Sequence, residues 1–224
     1  EVVRQYALAH LTEDWPAEAA VRERHSAHFL ELVEAREKAS RSAAQAETIR
    51  ELTDEIDNIQ AAWNWAVEHD RIDLFGSAVR GLGVLYELIG WLREGIAEIE
   101  LVKRALQNCS DSRERSSVLG RSLAMQALLY FRWGQFERAQ TLLDESLALL
   151  RPIGDPALLV DSLVLNGVIT HLMGQIDRSQ TLTVEGLHCA RTAGDEWFTA
   201  YALYNLGYVA GLLGRYEEGY QQML

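Results

Sequence analysis

Apolar residues in the middle of the chain return at helical intervals. Leu123, Ala127, Leu128 and Tyr130 fall on one face before Gly134, and Ala139, Leu142, Leu143 and Leu147 fall on one face after it. Both sets follow the 3.6-residue period of an α-helix. Gly134 predicts the end of the first helix, because glycine accepts the left-handed cap conformation. Gly154-Asp155 predicts the end of the second, with the aspartate capping the helix that follows. The unit is therefore a helix hairpin.

The same pattern comes twice and begins a third time. Residues 121–160 and 161–200 share 13 identities in 40 positions, among them Gly134/Gly174, Gln135/Gln175, Arg138/Arg178, Leu147/Leu187 and the closing Gly154-Asp155/Gly194-Asp195. Gly214 continues the first series at the same interval of 40. A fixed period of this size signals stacked supersecondary units. Small residues stand where two helices would touch: Ala127, Gly167 and Gly207 in the first helices, Ala139, Ser179 and Gly219 in the second, then Ser146 and Gly186 on the same face.

Upstream the pattern is weaker. Residues 81–106 read as helix, turn at Gly90, helix; residues 47–69 read as one helix, with Trp63 and Trp65 on nearly opposite sides so that both faces pack. Pro16 opens a long helix over about 17–45, with His25, Phe29, Leu32 and Val33 on one stripe. Gly81 and Gly83 sit inside a helical pattern with no preceding strand, so they predict close helix packing rather than a phosphate loop. About five hairpins result. No segment alternates with period two for long enough to be a strand. The prediction is an all-α chain.

Composition sets outer limits. With 48% hydrophobic residues in 224, the chain has ample material for a core. The net charge is −12; residues 1–112 carry 12 basic and 21 acidic side chains, and residues 113–224 carry 9 and 12. Neither half has the basic footprint that phosphate backbones require, so no nucleic-acid contact is expected from this segment. No run of 18 uncharged apolar residues is present to span a membrane, and no signal peptide leads the chain. Two cysteines, Cys109 and Cys189, suit a reducing cytoplasm. The chain begins with Glu1 rather than Met and stops at Leu224, partway into the second helix of the third repeat, so it reads as a piece excised from a longer protein.

The first helix of each unit, with its mid-helix small residue, the Asn205-Leu206-Gly207 triplet and the Gly214-Arg215-Tyr216 turn, resembles the tetratricopeptide repeat. The period of 40 departs from the usual 34, which requires longer helices or loops. That resemblance implies a right-handed superhelix of hairpins, an α-solenoid, whose first helices line the inner face. The inward positions are then Arg121, Ala124, Leu128, Phe131 and Arg132; Asp161, Val164, Val168 and His171; and Tyr201, Tyr204 and Tyr208. Arginine among aromatics is the composition of a binding surface. Arg121, Phe131, Arg132, His171, Tyr201, Tyr204 and Tyr208 are the candidate groove residues. Arg132 and His171 are suited to a carboxylate or a sugar hydroxyl, and Tyr204 and Tyr208 to a ring or a peptide side chain. The alternative is that some of these residues simply cover the next repeat.

The stretches VRQYALAHL (3–11), RHSAHFLELVEA (24–35), EIDNIQAAWNWAVE (55–68) and GWLREGIAEIELVKRAL (90–106) are similar to the end of the winged-helix segment and the following linker in STAND-type signalling ATPases. The family is that of large bacterial regulators with MalT-like or AfsR-like repeat arms. The resemblance implies a division into residues 1–15 (end of a winged-helix segment), 16–111 (degenerate hairpins) and 112–224 (tetratricopeptide-like repeats). It implies an arm that senses an inducer or a protein or peptide partner and contacts an upstream ATPase domain. A plain scaffold arm behind a kinase, cyclase or adaptor is the alternative. The family's GxxxxGK[ST] motif is not in this sequence, so ATP binding is assigned to no residue here.

No catalytic set, metal site or cofactor is expected. His25 and His28 share a helix face but lack a third ligand at suitable spacing. His188 and Cys189 diverge on a helix, which disfavours a thiol–imidazole nucleophile. Cys109 beside a turn reads as a packing residue or a spectator. The pairs Asp144-Glu145 and Glu217-Glu218 read as solvated faces of second helices rather than acid–base pairs.

Overall fold

A computed structural model of the protein describes residues 15–106 and 111–223. Residues 1–14 of the expected winged-helix end, and Cys109, lie outside the described residues. The elements are α1 (Trp15–Arg36), a 3-10 turn (Ala39–Arg41), α2 (Gln45–Asp54), α3 (Ile56–Glu68), α4 (Ile72–Ile89), α5 (Leu92–Leu106), α6 (Arg113–Arg132), α7 (Phe136–Leu150), a second 3-10 turn (Arg151–Ile153), α8 (Pro156–Leu172), α9 (Ile176–Ala193), α10 (Glu196–Leu212) and α11 (Tyr216–Met223). Among the described residues there is no strand. The chain divides into two compact units, one ending at Gly81 and one beginning at Leu82.

In the first unit α1 packs on α3. Its core holds Leu30, Val33, Leu52, Ile59, Ala62, Trp63 and Phe75. Trp63 meets the edge of Phe75, and the Ser26 hydroxyl donates to the Ala62 carbonyl at 2.8 Å between the two helices. Four upstream expectations need correction. The helix from Pro16 ends at Arg36 instead of running to 45, because the Ser40 hydroxyl donates to the Arg36 carbonyl and Gln45 donates to the Ser40 carbonyl, folding the serine-rich stretch into a turn. The helix over 47–69 is broken at Glu55, where the backbone leaves helical geometry. The buried stripe of α1 is Ser26, Leu30 and Val33; of the expected stripe Val33 is buried, whereas His25, Phe29 and Leu32 are half-buried. Trp65 is half-buried and stacks on His69 at 4.3 Å, so α3 does not bury both tryptophans alike.

In the second unit each helix from α5 to α11 packs on the next, and α6, α8 and α10 also touch in series. That is a helical-repeat-like arrangement. The turns explain it. After α6 the Gly134 amide donates to Phe131 and the Gln135 amide to Tyr130, with Gly134 at φ +80°. This double closure is the Schellman motif, which satisfies carbonyls the helix end would otherwise orphan. The same pair of bonds closes α4 at Gly90, α8 at Gly174, α9 at Gly194 and α10 at Gly214. It also closes α3, where the left-handed residue is Asp70 at φ +51°. Asp155 and Asp195 then accept from the amides of Ala157 and Phe198, starting α8 and α10 as expected.

The small residues do meet. The Ser179 hydroxyl on α9 donates to the Gly167 carbonyl on α8, and the Ser146 hydroxyl on α7 donates to the Gly120 carbonyl on α6, both at 2.7 Å. A methyl group on Gly219 would lie 2.7 Å from the Gly207 carbonyl. Gly81 and Gly83 are contact glycines as well: a side chain there would strike Val33 and Met125 respectively.

A ladder of side-chain amides binds each first helix to the second helix before it. Gln126 donates to Glu100 at 2.8 Å, Asn166 to Asp144 at 2.7 Å and Asn205 to Thr183 at 2.8 Å. Asp144 also receives Arg178 of α9. Asp144 is therefore a tie between helices rather than a freely solvated carboxylate.

Candidate functional site

The first helices of the second unit bring one face together. Arg132, at the end of α6, reaches Glu87 of α4 with Nη2–Oε1 at 2.5 Å and Nε–Oε1 at 2.6 Å. Its guanidinium also lies 5.3 Å above the Phe131 ring, which packs on Phe136. His171, at the end of α8, sets its ring 5.2 Å from Tyr208 of α10, and Tyr208 stacks with Tyr204 at 6.4 Å. Burial raises the Tyr201 phenol pKa, with Arg132 opposing and Glu87 and Tyr204 adding to the rise.

The predicted residues differ in what they offer. Tyr204 is 56% exposed and Tyr208 43% exposed, an aromatic ledge open to solvent. Tyr201 is half-buried; it packs on Trp197 at 5.0 Å and against the core around Leu163 and Phe198, so it acts mainly as a packing residue. Phe131 and Arg121 are half-buried on α6. Ala124, Leu128, Asp161, Val164 and Val168, expected to point inward, are buried between helices. They cover the neighbouring helices, as the alternative held. Arg132 is exposed but already carries a carboxylate, which leaves it a poor anion clamp.

His171 Nδ1 and Asn205 Oδ1 are both buried, and neither has a hydrogen-bond partner among the described residues. Burial lowers the His171 pKa, and Asn205 opposes the shift. The imidazole is thus held neutral near pH 7. Sequence reasoning missed Glu87 and Asn205. Asn205 was visible only as part of a repeat triplet, and nothing local marks Glu87 as the partner of an arginine 45 residues away.

Other candidates fall elsewhere. His25 and His28 both pack against the Phe29 ring, at 4.7 and 4.9 Å. Cys189 is buried among Leu150, Leu163 and Ala190, and burial raises its thiol pKa; His188 is exposed. An open groove of about 530 Å³ between α7 and α9 is lined by Leu147, Ala148, Pro152, Leu182 and the charged Asp144, Arg151 and Arg178. Its arginines are paired with Glu185 and Asp144. No helix among the described residues is long and apolar enough to cross a membrane.

No family model and no curated protein matches this sequence. Among solved structures, the chain is similar to the crystal structure of BtubC (BKLC) from P. vanneervenii. The alignment covers 90% of this chain and 87% of that one, at a TM-score of 0.58 and 15% identity. At that identity the likeness speaks for the fold alone.

Proposed function

We propose that this chain is a binding arm: a right-handed superhelix of tetratricopeptide-like hairpins that senses an inducer or protein partner for a bacterial STAND-type regulator. It is not an enzyme in this reading. The observation that carries it is the aromatic ledge of Tyr204 and Tyr208, open to solvent on the face that the first helices share, with the half-buried His171 ring packed against Tyr208. Large exposed rings on a rigid helix bury much area at little entropic cost. Because Glu87 neutralises Arg132, the ledge suits a ring or an apolar side chain better than a carboxylate. A ligand that prefers one curvature of the arm would shift its population and so its contact with an upstream ATPase domain.

A plain scaffold that binds only a protein or peptide is the rival. Titration calorimetry against a metabolite library, run beside pull-down from lysate, separates the two. A metabolite that binds, and whose binding is lost in Tyr204→Ala/Tyr208→Ala with the fold intact, supports the sensor. A protein partner lost in that variant, with no metabolite titrating, supports the scaffold. Binding that the double substitution leaves unchanged refutes the site. Reading the gene upstream of Glu1 for a P-loop tests the parent assignment separately.

A further inference from the structure

A second surface lies where α5, α6 and α7 approach one another. The Arg93 guanidinium sits 4.9 Å over the Trp133 ring; Trp133 stacks on Tyr130 at 6.3 Å with only 8° between planes; and the Arg138 guanidinium sits 4.2 Å over Tyr130. The result is a four-member stack, Arg–Trp–Tyr–Arg, with a cation at each end. Trp133 is 40% exposed, and so is Trp91, at 42%, two residues before Arg93. Both arginines are exposed. In a chain of net charge −12, most well-placed arginines are tied to carboxylates, as Arg36 is to Glu51, Arg132 to Glu87 and Arg178 to Asp144. Among the described residues Arg93 and Arg138 form no ion pair, although Glu94 and Glu137 adjoin them in sequence. Arg178 holds the same place in the repeat as Arg138 and does have its aspartate.

We infer that this stack docks an acidic, extended peptide segment of a partner protein. An arginine laid flat on a ring keeps its fork of N–H donors free and pre-oriented for a carboxylate. The ring stack between them holds the two forks at fixed spacing. An extended peptide presents side chains on one side every ~7 Å, within the span of the stack. Exposed Trp91, two residues before Arg93, and the uncovered edge of Trp133 offer contact to apolar side chains, in the Trp-and-Arg composition of binding hot spots. Arginine and tryptophan also stack on nucleic-acid bases. The peptide is favoured because the surface offers two separate guanidinium forks and lacks the continuous basic track that a phosphate backbone needs.

The test uses the full chain and fluorescence anisotropy with labelled (Glu-Ala)6, its neutral counterpart (Gln-Ala)6, and a dT12 oligonucleotide. The expected result is that (Glu-Ala)6 binds at least about tenfold more tightly than (Gln-Ala)6, and weakens as salt is raised. Arg93→Gln/Arg138→Gln weakens (Glu-Ala)6 binding by about tenfold or more, with an unchanged far-UV spectrum and melting curve. The single Arg93→Gln, which leaves the cover over buried Tyr130 in place, also weakens it and guards against misfolding of the double variant. Tyr204→Ala/Tyr208→Ala leaves this binding unchanged, which keeps the surface distinct from the ledge. The inference is overturned by equal affinity for the Glu and Gln peptides, by unaltered binding in the arginine variants, or by tighter binding of dT12 than of (Glu-Ala)6.

Discussion

Gly167 offers the sharpest test of how the second unit is packed. A methyl group there would lie 2.2 Å from Thr183 Oγ1 and 3.3 Å from both the Cβ and the amide nitrogen of Thr183. Thr183 is fully buried and its hydroxyl accepts from Asn205 Nδ2 at 2.8 Å. Gly167→Ala must therefore push α8 from α9 or rotate the threonine. Moving the helices strains the Ser179 hydroxyl bond to the Gly167 carbonyl. Rotating the threonine takes the acceptor away from a buried amide. Overpacking, if the helices move, costs about 1–3 kcal/mol. Orphaning the Asn205 amide, if the threonine rotates instead, costs about 1–3 kcal/mol. Replacing a mid-helix glycine by alanine returns about 1 kcal/mol. By either route the balance centres near ~1 kcal/mol of destabilisation, a fall in Tm of about 2–4 °C for a domain of this size. Gly211 is the control: it too lies in a helix, α10, but nothing lies within 4 Å of where its Cβ would be. Gly211→Ala should gain up to about 1 kcal/mol. Thermal melts followed by circular dichroism read both. If Gly167→Ala melts at or above the parent temperature, the packing account of these glycines is wrong.

Three further outcomes follow from particular contacts. Asp70→Gly should raise stability by about 0.5–1 kcal/mol, since Asp70 occupies a left-handed position that the other turns give to glycine; an unchanged or lower urea midpoint counts against it. Ser146→Ala removes the hydroxyl shared by the Gly120 carbonyl and Ser162, both buried, and should cost about 1–3 kcal/mol in the same denaturation assay. The folded-state pKa of His171 is depressed below the ordinary 6.5, so the stability its neutral form contributes is complete above that pH and is lost as pH falls toward the folded value. Tm should therefore drop between pH 7.5 and 5.5 and drop less in His171→Gln; the carboxylates whose pKa is lowered, Glu51 and Asp73, lose their contribution only at lower pH and do not confuse the window.

What could be read in advance followed the glycines. From Gly134 to Gly214 every turn is closed by glycine in the left-handed conformation, and glycine is the residue that announces this to a reader of the sequence. Upstream the same closure falls on Asp70, and the break at Glu55 carries neither glycine nor proline, so one continuous helix was the natural expectation for 47–69. The turn after Arg36 is rich in alanine, the best helix former, and is made by serine hydroxyls and Gln45 reaching back to carbonyls, a choice that local propensity does not decide. The ledge was legible for a related reason. Tyr204 and Tyr208 lie on helix positions whose register the glycines set, so their exposure followed from the repeat. Arg132 was legible as a position and not as a chemistry, because its meaning depends on Glu87, which lies outside the forty-residue register. The stack of Arg93, Trp133, Tyr130 and Arg138 was hidden more completely: its members come from three helices, and only Arg138 belongs to a repeat identity, shared with an arginine that does something else. A repeat sequence therefore discloses where its surfaces are, through the residues that return. The chemistry of those surfaces is written in the residues that do not return, and in this chain those are Glu87, Trp133 and the tyrosines of α10.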